Sequence, residues 1–168
     1  MIIFLTGMMG SGKTAVGQAL AEKLGYIFID LDRYLENWAG KTIPEIFRDE
    51  GEAAFRKMEH KIRHDPIMNN KELVVATGGG FPLDSENRMW MKSLGVVIWL
   101  QAKPETILKR LENTSDRPLL PQPVNLSHIE ELIEKRAFVY KMANYYIKTD
   151  DRPVDVIVRE IMKRINHA

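Results

Sequence analysis

Short apolar runs alternate with amphipathic stretches along the whole chain. Five runs are almost entirely apolar, which is typical of strands that are buried on both faces of a parallel sheet. These runs are 2–5, 27–29, 73–76, 96–100 and 145–147. Between them, apolar residues recur at helical spacing. This alternation predicts an α/β fold with three layers, in which helices cover both faces of a five-stranded parallel sheet.

Capping and breaking residues mark where several helices begin and end. Thr42-Ile43-Pro44-Glu45 is a capping box with proline in the first turn, and Gly51 is the only break before residue 64. We therefore predict a pair of helices over this polar stretch. A second capping box, Ser127-His128-Ile129-Glu130, predicts the start of a later helix. Between residues 113 and 125 the periodicity disappears and three prolines prevent regular structure, which predicts a mobile surface loop.

The segment between the first strand and the first helix matches the motif G-x-x-x-x-G-K-[ST]. It reads Gly7-Met8-Met9-Gly10-Ser11-Gly12-Lys13-Thr14. Glycines allow consecutive backbone N–H groups to face an anion, and the following helix adds the positive end of its dipole. Lys13 can reach the β- and γ-phosphates, and the Thr14 hydroxyl can ligate Mg²⁺. The motif predicts a nucleoside triphosphate site rather than a simple glycine-rich turn, but it does not identify the phosphate acceptor.

Two further strand ends carry unusual residues. The second strand ends in Asp30-Leu31-Asp32, and the third runs into Gly78-Gly79-Gly80. Ligands of open α/β sheets lie beyond the carboxyl ends of the strands, so these segments should meet the P-loop in one crevice. One aspartate can then serve the metal while the other orients an acceptor hydroxyl and takes its proton, unless one merely caps the next helix. The glycines suit close approach to a ligand, although an unligated loop is the alternative.

Two arginines suggest that the acceptor carries a carboxylate. Arg136 follows Leu132 by four residues and Ile133 by three, on the inward side of a predicted helix, where an unpaired charge would be costly. Arg56 precedes Glu59 by one helical turn, so Glu59 can orient it. Two guanidinium groups near the crevice could grip a carboxylate in fork geometry. A structural salt bridge is the alternative for either arginine.

Several other side chains are candidates for the same site. Arg117, in the proline-rich loop, could neutralise charge on the transferring phosphoryl group. Arg110 lies on the helix before that loop, where it either follows the adenine or phosphates or belongs to a solvated helix face. Phe47 and Phe55 either form an apolar wall against a ring substrate or belong to the ordinary core.

Composition narrows the class of protein. The chain has 168 residues with a formal net charge of +1 and no cysteine. Its length suits one domain, and its charge lacks the basic footprint of nucleic-acid binders. The absence of cysteine excludes disulfides and thiolate chemistry. The sequence also lacks the pattern of a signal peptide or a membrane span. We expect a cytoplasmic, monomeric enzyme that binds neither nucleic acid nor membrane.

Taken together, these motifs resemble the shikimate kinase family. The segments that carry the resemblance, in chain order, are GMMGSGKT, FIDLD, EIF, FRKME, TGGG, DRPLL and EKRAFVY. The resemblance implies a nucleoside-monophosphate-kinase-like fold in a single domain over 1–168, with a substrate-binding region at about 32–64 and a lid at about 112–125. It also implies Mg²⁺-dependent transfer of the ATP γ-phosphate to the 3-hydroxyl of shikimate, in the pathway to chorismate and aromatic amino acids.

The resemblance also assigns roles to individual residues. Thr14 and Asp30 would serve magnesium, and Arg152, beside Pro153, approximately matches an arginine of the family's adenine loop. The expected catalytic residues are Lys13, Asp32 and Arg117. The expected ATP-binding residues are Gly10, Ser11, Gly12, Lys13, Thr14, Ala15, Arg110, Arg117 and Arg152. The expected substrate-binding residues are Asp32, Phe47, Phe55, Arg56, Gly78, Gly79, Gly80 and Arg136.

Two other functions are compatible with parts of this pattern. The first is another small-metabolite kinase of the same fold, such as a gluconate kinase, whose acceptor also carries a carboxylate. The second is a nucleotide-binding module that has lost catalysis. The combined Asp30-x-Asp32, FRKME and DRPLL segments favour shikimate over gluconate, and the presence of Lys13, Asp32 and Arg136 argues against a non-catalytic module.

Overall fold

A central parallel sheet organises the protein, whose computed structural model describes residues 1–112 and 123–166. The strands are β1 (Ile2–Thr6), β2 (Ile27–Asp30), β3 (Leu73–Ala76), β4 (Gly95–Gln101) and β5 (Tyr145–Lys148). They are all paired in parallel, in the order β2-β3-β1-β4-β5. The sequence-based prediction of a five-stranded parallel sheet is therefore confirmed.

Helices connect the strands and cover the sheet. They are α1 (Lys13–Leu24), α2 (Leu31–Ala39), α3 (Ile43–Glu50), α4 (Glu52–Lys61), α5 (Ser85–Leu94), α6 (Pro104–Leu111), α7 (Leu126–Tyr140) and α8 (Val154–Ile165). Three short 3₁₀ segments, Ile62–His64, Pro66–Asn69 and Phe81–Leu83, were not predicted from the sequence. Such single turns are too short to produce a recognisable hydrophobic period.

Alternate residues of β1 pack on opposite faces of the sheet. Ile2 and Phe4 belong to a core built with apolar residues of α2, α3, α4 and α5. Ile3 and Leu5 belong to a second core, which α1 and α8 complete. Successive side chains of a strand point to opposite faces, so an uninterrupted apolar run is what a sheet covered on both sides requires. This arrangement confirms the three-layer α/β/α architecture.

Of the two predicted capping boxes, one is confirmed and one is wrong. Thr42 and Glu45 form the expected capping box, in which Thr42 N–H donates to Glu45 Oε2 at 2.8 Å. The predicted cap at Ser127 is wrong. Helix α7 begins two residues earlier, because the Asn125 side-chain oxygen accepts a hydrogen bond from His128 N–H at 3.0 Å. The predicted mobile loop falls largely on residues 113–122, which lie outside the described residues.

The strand order determines where a ligand can bind. Because β3 lies between β2 and β1, the carboxyl ends of these three strands meet at one side of the sheet. The chain leaves β1 towards one edge of the sheet and leaves β3 towards the other, which creates a crevice of the kind that binds ligands in open α/β folds. Within residues 1–112 and 123–166, no helix has the length and apolar character needed to cross a membrane.

Candidate active site

A cleft of about 760 Å³ opens beyond the carboxyl ends of β1, β2 and β3. Its lining includes the P-loop after β1, the two aspartates at the β2–α2 junction and the three glycines after β3. Side chains from α3, α4 and α7 complete the wall. The structure thus brings together the three strand ends that the sequence analysis singled out.

The P-loop forms the floor of the cleft and leads directly into α1. Gly12 precedes the helix with a φ of 100°, in a region of backbone conformation that residues with a Cβ rarely adopt. Lys13 Nζ donates to the carbonyl oxygens of Gly7 at 2.8 Å and Met8 at 2.9 Å. Gly10, Thr14 and Ala15 also line the cleft, whereas the Ser11 side chain is fully buried. Backbone and ammonium donors are therefore concentrated at one end of the cleft.

The two aspartates occupy different positions. Asp30 caps α2, because its Oδ1 accepts hydrogen bonds from the backbone N–H groups of Asp32 and Arg33. Its other oxygen accepts a hydrogen bond from the Thr14 hydroxyl at 2.8 Å. Asp30 is therefore the aspartate that caps the next helix, and it contacts the P-loop as well. Both aspartates line the cleft, but only Asp32 lies against the triple glycine, at Gly78.

The three glycines allow functional side chains to lie against the backbone. A Cβ at Gly78 would lie 2.6 Å from Asp32 Oδ1, and one at Gly80 would lie 2.5 Å from Arg56 Nη2. A Cβ at Gly79 would lie 3.0 Å from Arg136 Nη1. A side chain at Gly78 or Gly80 would displace the neighbouring carboxylate or guanidinium group from this position. The glycines thus leave room for the side chains that pack over them.

Tyr140 holds this glycine loop, and the sequence analysis did not assign it a role in the site. Its hydroxyl donates to the carbonyl oxygen of Gly79 at 2.7 Å. Burial raises the pKa of Tyr140, with Arg136 opposing the shift, so the hydroxyl keeps the proton that it donates. The available signal was its spacing, since Tyr140 follows Arg136 by one helical turn and lies on the same side of α7.

Arg56 is fixed by two carboxylates of its own helix. Its Nη1 lies 2.6 Å from Glu59 Oε2, and its Nη2 lies 3.1 Å from Glu52 Oε1. The spacing of these two residues suggested that Glu59 orients Arg56, and the structure adds that Glu59 is only 2% exposed. Burial raises the pKa of Glu59 to about 7; the charge of Asp32 acts in the same direction, while Arg56 and Arg136 oppose the shift. The site thus contains interleaved acids and guanidinium groups.

Arg136 is the most informative side chain in the cleft. The residue is only 4% exposed, and within the described part of the chain its Nη1 has no hydrogen-bond partner. A buried N–H group without a partner is costly, and the cost is greater for a charged group. Because Arg136 also lines the cleft, an anionic ligand could satisfy it. The expectation that an inward arginine here needs an anion therefore has a structural basis.

The two predicted phenylalanines lie together in the cleft wall. The ring centroids of Phe47 and Phe55 are 5.3 Å apart, and both residues line the cleft. Both also pack in the core on this side of the sheet. The wall and core interpretations are therefore compatible.

Three predicted nucleotide-binding arginines differ in their positions. Arg110 lines the cleft and donates to the carbonyl oxygen of Gly10 at 2.9 Å. Arg152 is absent from the lining; its Nη2 is paired with Glu160 of α8 at 2.6 Å, and its Nη1 donates to the carbonyl oxygen of Lys148. Arg117 lies outside the described residues. The position of Arg117 over the nucleotide therefore stays a prediction.

Comparisons with known proteins agree with this geometry. A family model described as shikimate kinase matches residues 9–166. Shikimate kinase of Persephonella marina is 45% identical over 163 residues, covering 97% of this chain and 98% of the relative. The shikimate kinase of a Sulfurihydrogenibium species is 44% identical over 163 residues, covering 97% and 96%. The structure of shikimate kinase from Acinetobacter baumannii in complex with shikimate matches with a TM-score of 0.93 and 36% identity, covering 99% of this chain and 93% of that one.

Proposed function

Since the chain belongs to the shikimate kinase family, we propose that it transfers the γ-phosphate of ATP to the 3-hydroxyl of shikimate, which yields shikimate 3-phosphate and ADP. The observation that carries this proposal is the buried Arg136 guanidinium, which lines the cleft with an Nη1 that lacks a partner in the described structure. A carboxylate on the acceptor supplies what this group needs. The related protein that was solved with shikimate supports the same acceptor.

The acceptor end of the cleft is formed by four elements, namely α3, α4, α7 and the glycine loop after β3. Arg136 on α7 and Arg56 on α4 bind the shikimate carboxylate, while Gly79 permits the ring to approach the backbone. Phe47 and Phe55 present an apolar surface to the ring. Because guanidinium groups match a carboxylate in fork geometry, this grip fixes the orientation of the ring as well as its position. The segment over about 32–64 acts as the substrate-binding region in this proposal.

Asp32 acts on the reacting hydroxyl. Its carboxylate lies beside Gly78 in the lining of the cleft. We assign it the role of orienting the 3-hydroxyl and taking its proton as the oxygen attacks the γ-phosphorus. The bond from that phosphorus to the bridging oxygen breaks, and ADP leaves. Catalysis then rests on positioning and electrostatics, with no covalent enzyme intermediate.

The nucleotide end of the cleft is formed by the P-loop. Backbone N–H groups of residues 10–15 surround the phosphates, and Lys13 exchanges its two carbonyl partners for phosphate oxygens. Arg117, on the lid at about 112–125, would add positive charge when the lid closes. Arg110, which holds the Gly10 carbonyl of the P-loop, and Arg152, which approximately matches the adenine-loop arginine of the family, are also assigned to the nucleotide.

Thr14 and Asp30 suit a magnesium ion. Their side-chain oxygens are 2.8 Å apart at the edge of the P-loop, and Mg²⁺ is typically held by one or two protein oxygens together with water and substrate phosphates. When bound, the ion neutralises charge on the β- and γ-phosphates. Thr14 and Asp30 would hold the ion at this edge of the P-loop.

A coupled assay of ADP release tests the proposed activity. The enzyme is given ATP and Mg²⁺ with shikimate, with gluconate, or with no acceptor. We expect ADP release that requires shikimate, together with a phosphorylated product whose ³¹P resonance couples to the proton at C3. Release that depends on gluconate would identify a different metabolite kinase. Tight ATP binding without acceptor-dependent release would instead support a non-catalytic module.

A further inference from the structure

Thr149 connects the end of the sheet to the P-loop. It immediately follows β5, is only 1% exposed, and lies 138 residues from the P-loop along the chain. Its hydroxyl donates to the carbonyl oxygen of Ser11 at 2.9 Å. The same hydroxyl oxygen accepts a hydrogen bond from Arg110 Nη1 at 3.3 Å. Neither the P-loop motif nor the acceptor site explains why a buried threonine follows β5.

The hydroxyl has one proton and therefore one donor bond. Two carbonyl oxygens lie within reach, that of Ser11 at 2.9 Å and that of Gln101 at 3.2 Å. The shorter contact is the one to the P-loop. The Gln101 carbonyl already accepts a hydrogen bond from the backbone N–H of Thr149 at 2.8 Å. The Ser11 carbonyl is therefore the partner that depends on the hydroxyl.

The orientation of one peptide group follows from this contact. In a trans peptide the C=O and the next N–H point in opposite directions. Because the Ser11 carbonyl faces Thr149, the N–H of Gly12 faces away from it, and Gly12 lines the cleft. Arg110 holds the preceding carbonyl, that of Gly10, at 2.9 Å. Two consecutive carbonyls of the P-loop, those of Gly10 and Ser11, are thus fixed by side chains from elsewhere in the fold.

We propose that Thr149 is a positioning residue of the phosphate cradle, whose hydroxyl fixes the Ser11–Gly12 peptide so that Gly12 N–H faces the bound phosphates. The proposal rests on the nucleotide-binding part of the proposed function. An ordered cradle binds phosphate without first having to turn its peptide groups, so the hydroxyl contributes to nucleotide affinity although it does not touch the nucleotide.

A purely structural role for the hydroxyl is less consistent with the contacts. The loop after β5 has its own anchors, since Asp150 Oδ1 accepts hydrogen bonds from Lys103 N–H and from the Thr106 hydroxyl, both at 2.7 Å. The backbone of Thr149 is bound to Gln101 independently of its side chain. Removing the hydroxyl should therefore release the P-loop carbonyl while the loop stays in place.

The test compares Thr149→Val, which keeps the shape and removes the hydroxyl, with Thr149→Ser, which keeps the hydroxyl. Thr106→Val is the matched control, because it breaks a threonine hydrogen bond to the same loop without touching the P-loop. Calorimetry measures the affinity for ATP with Mg²⁺ and for inorganic tripolyphosphate, in the absence of acceptor. Thr149→Ala serves as a second variant if the valine does not fold.

We expect Thr149→Val to weaken both ligands about five- to tenfold, as for loss of one hydrogen bond to a buried carbonyl. Thr149→Ser and Thr106→Val should stay within about twofold of wild type, and so should the KM for shikimate in all variants. Unchanged affinities in Thr149→Val would overturn the proposal. So would a loss for ATP but not for tripolyphosphate, because the hydroxyl would then act on the nucleoside. Since these affinities are measured without acceptor, failure of shikimate as a substrate would leave them interpretable.

Discussion

Replacing Arg136 by methionine is expected to stabilise the protein while it weakens acceptor binding. Both effects follow from one feature: Arg136 is only 4% exposed, and its Nη1 has no partner in the described structure. Methionine has a similar length and no charge, so it can fill the space without a buried N–H group to satisfy. A residue whose main role is structural would show the opposite effect on stability.

The magnitudes can be worked from the contacts. Relief of one buried, unsatisfied donor is worth about 1 to 3 kcal/mol, but the variant also loses the attraction between Arg136 and Glu59. We expect a net gain of about 1 to 2 kcal/mol, which corresponds to a rise in Tm of roughly 2 to 8 °C for a chain of this length. The lost charge-assisted bonds to the acceptor carboxylate are worth about 3 to 4 kcal/mol, or roughly 100- to 1,000-fold in shikimate affinity.

Thermal unfolding with and without shikimate measures both effects at once. Shikimate should raise the Tm of wild type, because it binds only the folded state, and should raise that of Arg136→Met much less. Lys135→Met is the matched control on the same helix; its side chain is 68% exposed and pairs with Glu131 at the surface. We expect it to change neither property appreciably. A lower Tm in Arg136→Met, together with unchanged shikimate binding, would show that Arg136 is a structural residue.

Two further predictions concern the acids of the cleft. Asp32→Asn should leave ATP affinity nearly unchanged and lower kcat by about 100-fold or more, because an amide cannot take the hydroxyl proton; undiminished turnover would remove Asp32 from that role. Because burial raises the pKa of Glu59 from 4.5 to about 7, the folded protein keeps a proton that the unfolded chain releases above pH 4.5. Relative to Glu59→Gln, wild-type stability in urea unfolding should therefore fall by roughly 3 kcal/mol as the pH rises from 4.5 to 7, and the difference should then level off. An equal slope in both proteins would refute the assignment to Glu59.

The fold could be predicted because its signals are local. The apolar run of β1, the capping box at Thr42 and the proline at the start of α6 each act on neighbouring residues. The error at the start of α7 has the same origin. Ser127 and Asn125 are both good capping residues, and which one caps the helix depends on the path by which the chain enters it. Sequence spacing alone does not contain that path.

The site could be predicted only as far as its residues are close in sequence or follow strand ends. The P-loop is contiguous, and the aspartates and glycines follow strands that a parallel sheet brings together. The contacts that hold these parts have no local signal. Tyr140 reaches Gly79 across 61 residues, and Thr149 reaches Ser11 across 138 residues. Tertiary packing decides that the carbonyl of the Ser11–Gly12 peptide accepts a hydrogen bond and that Thr149 donates it.

Helix α7 connects the two ends of the cleft through the glycine loop. Arg136 and Tyr140 lie one turn apart, so the guanidinium group and the hydroxyl bound to Gly79 move together if the helix moves. A Cβ at Gly79 would lie 3.5 Å from the Gly7 carbonyl oxygen and 3.6 Å from Met9 N, so this loop also lies against the P-loop. The acceptor grip and the phosphate cradle are therefore separated by one layer of backbone. Because an added side chain at Gly79 would lie 3.0 Å from the Arg136 guanidinium group, glycine there lets this group pack against the loop that lies beside the phosphate cradle.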